Sequence, residues 1–88
     1  MTNDQINDRL ELLYIVLQFC SQRKASFTVW ERMAINQERG RLLNNIDYPG
    51  SPLCPVSETL EAKVQTAFKT SLKYNFMPLN NADFNEND

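Results

Sequence analysis

The side chains that usually carry enzyme chemistry are scarce in this sequence. There is no histidine, which removes the usual general base of hydrolases and the commonest metal ligand. Cys20 and Cys54 stand 34 residues apart, without the paired spacing of a structural zinc site. The only glycines are Gly40 and Gly50, too few for a phosphate-cradling loop. Asp4, Asp8 and Glu11 could form an acid/base or metal cluster, but the same residues suit the solvated first turns of a helix. The expectation is a protein with no catalytic residues, no metal and no cofactor.

A second group could do binding chemistry. Arg23, Lys24, Arg32, Arg39 and Arg41 lie among Trp30 and Tyr48. Arginine binds phosphate through two parallel hydrogen bonds, and aromatic rings stack on bases. Such a set could hold a nucleotide or a nucleic acid. The competing reading pairs the arginines with Glu31 and Glu38 on a solvated face and puts Trp30 in the core. Residues 1–78 hold nine bases against eight acids, well short of the positive excess that phosphate binding favours.

The elements that would position these residues are helices. Ile6, Leu10, Leu13, Leu17 and Cys20 recur at steps of four and three, which marks one helix face over about residues 3–22. Asn3 or Asp4 could cap it. Leu12, Ile15, Val16 and Phe19 widen the stripe around most of the circumference. Two short partner helices would be hard pressed to cover such a rod. Leu10, Leu12, Leu13, Val16, Leu17 and Phe19 are therefore the expected contact with a second copy or another partner.

A capping box, Thr28-Val29-Trp30-Glu31, opens a second helix over 29–45. Trp30, Met33, Ala34, Ile35, Leu42, Leu43 and Ile46 are its expected apolar contacts, and Glu31, Arg32, Glu38 and Arg39 its charged face. Gly40 is kept inside it at some cost. Pro49-Gly50 suits a type II turn, and Pro52 and Pro55 stiffen the loop after it. Leu53 and Val56 would plug the end of the core. Ser57 caps a third helix over 58–76, with Leu60, Val64, Ala67, Phe68 and Leu72 on its apolar face and Pro78 beyond its end. Residues 79–88 are polar and acidic and read as a disordered tail.

The fold class is all-α: one three-helix domain over 1–78 with that tail. The start of the chain is polar and acidic where a secretory leader would be basic, so a cytoplasmic protein with free thiols is expected, although a Cys20–Cys54 disulfide stays open. The longest apolar run, Leu12–Leu17, is too short to span a membrane. This is the profile of a small regulatory or accessory protein working by protein–protein binding and as a homo-oligomer, in the manner of inhibitors and adaptors of bacteria or their phages. The rivals are a nucleotide- or nucleic-acid-binding protein and a structural subunit of a larger assembly.

Overall fold

A computed structural model of the chain describes residues 1–23 and 27–74, with the side chain of Arg23 left aside. Three helices follow one another: α1 (Asn3–Arg23), α2 (Val29–Asp47) and α3 (Glu58–Lys73), with no strand among the described residues. The domain is all-α, as its sequence periodicity requires.

Each helix starts at a short hydroxyl side chain. At α1 the cap is Thr2 rather than Asn3 or Asp4. Its Oγ1 accepts from the Gln5 amide while the Gln5 side chain accepts from the Thr2 amide, at 3.2 and 2.8 Å. Thr28 and Glu31 make the same reciprocal pair at α2. Ser57 Oγ accepts from the Leu60 amide at α3. These contacts satisfy amide groups that have no carbonyl one turn earlier.

Helix α2 runs unbroken through Gly40 to Asp47, and Ser51 N–H then donates to Tyr48 O at 3.0 Å. Gly50 sits at φ +92°, so Tyr48–Ser51 has the form of a type II turn. Helix α3 ends at Lys73, earlier than its apolar pattern suggests. Tyr74 leaves the helical path, and its ring stacks on Phe19 with centroids 6.5 Å apart. Residues 75 and 76, together with the 79–88 tail, lie outside the described residues.

Helix α1 is the middle of the fold. Both α2 and α3 pack on it and approach each other little. That arrangement uses its all-round apolar surface: Ile6, Leu13, Val16, Phe19 and Cys20 are buried, and Leu10, Leu12 and Leu17 pack against the core. Helix α2 contributes Ile35 and Leu42, α3 contributes Leu60 and Val64, and Phe27 closes the core ahead of α2. Ser71 rather than Leu72 completes the inner face of α3; its hydroxyl donates to Phe68 O at 2.6 Å, and Leu72 points outward. Val56 packs on the core, while Leu53 keeps 37% of its surface exposed and is not among the residues packed there.

A polar centre joins the three helices. Arg9 of α1 donates from Nε and Nη2 to both carboxylate oxygens of Glu38 on α2, at 2.7 and 3.1 Å. Its Nη1 and Nη2 reach the two oxygens of Glu61 on α3. Glu38 Oε1 also accepts from the Val56 amide at 3.2 Å, and Gln65 donates to Glu61. Glu38 is buried, not part of a charged outer face. Nor do Glu31 and Glu38 pair with the arginines of α2: Glu31 binds Lys63 of α3 at 2.8 Å.

Removing one member of a buried ion pair strands the other, at a cost of about 3–5 kcal/mol. We therefore expect Arg9→Met to lower unfolding free energy by about that much in urea titration, and Arg9→Met/Glu38→Leu to recover a substantial part of the loss. Hydrogen bonds from Arg9 hold the Glu61 carboxyl below its ordinary value of 4.5, and hydrogen bonds from Lys63 and then Thr28 do the same for Glu31. Unfolding raises both pKa values, so the unfolded chain binds more protons. This stabilisation is complete above the ordinary carboxylate pKa and disappears as pH falls through the folded values. The melting temperature should hold near neutral pH and drop once pH goes below about 4.5.

Candidate functional site

The basic and aromatic set does not converge. Arg39 lies over the Tyr14 ring, 5.9 Å from its centroid, and donates to Asn36 Oδ1 at 3.4 Å. Arg32 and Arg41 are exposed on opposite flanks of α2, since nine residues at about 100° each turn one well away from the other. Tyr48 is exposed at the far end of that helix. Lys24 and the Arg23 side chain lie outside the described residues. Trp30 is not in the core: it is 77% exposed.

The expected contact set on α1 is also placed differently. Leu13, Val16 and Phe19 are buried within this one chain, and Leu10, Leu12 and Leu17 are partly covered by it. The premise that α2 and α3 cannot cover α1 fails, because they pack on different sides of it.

The apolar surface that remains uncovered belongs to α2. Turning Ile35, Glu38 and Leu42 inward leaves the opposite face to solvent. Val29, Trp30 and Met33 stand exposed at the start of that face, and Leu43 at its end. Asn36, Gln37, Gly40 and Asn44, also exposed, lie among them. No charged residue occupies this face between Val29 and Asn44; Arg32 and Arg41 border it. Trp30, Met33, Ala34, Asn36 and Gln37 line an outward concavity at its N-terminal end. A solvated helix face ordinarily carries charge, so an uncharged one bearing tryptophan and methionine has the composition of an interface centre. The sequence held a signal for it: Val29, Met33, Asn36, Gly40 and Leu43 follow one another at steps of three and four with no acid or base among them.

Gly40 sits in the middle of this face. A Cβ there would meet nothing within 4 Å. The fold of this chain therefore gives no steric reason for glycine, although glycine weakens a helix interior by about 1 kcal/mol relative to alanine.

A separate groove of about 360 Å³ runs between α1 and α3, lined by Phe19, Phe27, Ala62, Thr66, Ala67 and Thr70, with Lys63 at its side. The Lys63 ammonium lies 5.4 Å from the Phe27 ring centroid and is held by Glu31. Cys20 and Cys54 are both free thiols. Burial pushes the Cys20 thiol up to about 11, a poor setting for nucleophilic chemistry. Arg9, for its part, spends Nε, Nη1 and Nη2 on two carboxylates.

Among the described residues, no group of three or more histidine, cysteine, aspartate or glutamate side chains could hold a metal ion, and no helix is long and apolar enough to cross a membrane. No protein-family model matches this chain, and neither a curated protein nor a solved structure matches it.

Because Gly40 is exposed with open space around it, Gly40→Ala should stabilise the folded chain by roughly 0.5–1 kcal/mol. For a domain of this size that corresponds to a rise of several degrees, about 4–8 °C per kcal/mol, in the melting temperature.

Proposed function

We propose that this is a non-enzymatic regulatory or accessory protein that acts by binding another protein chain through the outer face of α2. The observation that carries the reading is the exposed Trp30 and Met33 on an uncharged stretch of α2 with Asn36, Gln37 and Gly40, laid on a helix whose opposite side is fixed to the core. Large aromatic and thioether side chains contribute most to binding when a partner covers them. The rigid backing of α1 means that little ordering is needed on association. An inhibitor or adaptor role fits such a surface, because occupying a partner needs a shaped face and no chemistry of its own.

A phosphate-binding role has less support. Its arginines point to different sides, Arg39 is engaged with Tyr14 and Asn36, and Trp30 lies on the uncharged face.

The test is affinity capture from the native host with the full chain as bait, in parallel with Trp30→Ser and Met33→Ser variants, read by mass spectrometry and absorbance at 260 nm. A protein recovered by the wild type and lost by both variants is the expected result. Recovery that is indifferent to Trp30 and Met33, or a 260 nm signal that follows the arginines, would overturn the reading.

A further inference from the structure

We infer that the groove between α1 and α3 is the docking site of the chain's own continuation past Tyr74, the segment Phe76-Met77-Pro78-Leu79. The groove leads to the point where that continuation starts. Thr66 and Thr70 line it, and Tyr74 follows one turn further along the same side of α3, its amide donating to Thr70 O at 3.2 Å. The Tyr74 ring stacks on Phe19, the aromatic wall that α1 gives to the groove. The described residues therefore end at the mouth of the groove.

Reach, chemistry and charge agree with this occupant. Thr66 lies about 12 Å back from Tyr74 along the helix axis. The next five residues span at most about 17 Å when extended, so Leu79 reaches the level of Thr66 even after a reversal at Asn75. Pro78 suits an extended course, since it fixes its own φ and biases Met77 away from the helical region. It also brings no N–H into an apolar groove, where an unpaired donor is costly. Phe76, Met77 and Leu79 offer apolar side chains to Phe19, Phe27 and Ala67. Beyond them come Asp83, Glu86 and Asp88 without a base, and the one charged side chain on the described wall is the cation Lys63. Glu31 already holds that ammonium, so the attraction favours the direction of approach without making a new salt bridge. Tethering sets the local concentration of the segment at about the millimolar level, which an untethered occupant would have to exceed. No described lining residue belongs to α2, so this contact is separate from the α2 outer face, and either can exist without the other.

The deciding comparison uses the full chain in a Cys54→Ser background, with the buried Cys20 left in place. Thr66→Cys/Leu79→Cys is set against Lys69→Cys/Leu79→Cys on exposure to oxidised glutathione. Position 66 lines the groove, whereas position 69 is exposed and does not. Both lie at similar chain separation from Leu79, so an undocked segment would close either pair at a similar rate. Docking makes the disulfide at position 66 form about tenfold faster or more, at monomer mass. Methyl NMR of the full chain gives a second readout. Phe76→Ser/Leu79→Ser should shift the Ala67 and Thr70 methyl resonances and leave those of Val29 and Leu43 on α2 in place. Equal rates at positions 66 and 69, groove methyls that do not move, or a disulfide formed mainly between two molecules would overturn the inference.

Discussion

The ion pair between the half-buried guanidinium of Arg9 and the buried carboxylate of Glu38 is the constraint on which the arrangement of helices rests. A charge withdrawn from water has to be answered by opposite charge and by a full set of hydrogen bonds. Arg9 finds these on two different helices, Glu38 of α2 and Glu61 of α3, and the Val56 amide occupies part of what Glu38 has left to offer. The geometry is demanding, because a planar fork donates to two carboxylates only near its own plane. It therefore fixes how α2 and α3 are rotated about their axes as well as how near they come.

That rotation has a consequence on the far side of the molecule. With Glu38 turned inward, Ile35 and Leu42 turn inward with it, one helical turn to either side. Trp30, Met33 and Leu43 then have nowhere to go but outward. Helix α2 carries more apolar side chains than its inner face admits. The surplus is exposed because a polar anchor, and not the largest apolar residues, sets the phase. The proposed binding face is thus the reverse of the ionic centre, and a change at Arg9 or Glu38 would reach the surface through the rotation of α2.

Helix α1 shows the opposite situation. It has apolar residues nearly all the way round, and in isolation that reads as a surface lacking a cover. The cover is internal: α2 and α3 take separate sides of it and leave Leu10, Leu12 and Leu17 partly sheltered and Leu13, Val16 and Phe19 enclosed. A helix that is apolar on most sides is then the central one of three.

The sequence alone determined the three helices, because local physics sets them. Thr28 and Ser57, which cap the starts of α2 and α3, the steps of three and four in α1 and α3, and the Pro49-Gly50 turn all act within a few residues of themselves. What only the tertiary structure decided is which way each helix faces. Glu38 and Glu61 lie 29 and 52 residues from Arg9 along the chain, too far for any spacing rule, and in a one-dimensional reading Glu38 looks like any surface acid. Periodicity also cannot rank Trp30 against Ile35 as core, since both fit a 3.6-residue repeat of different phase. The phase is settled by a buried charge finding its partners across the fold, and that settlement moved the candidate surface from α1 to α2.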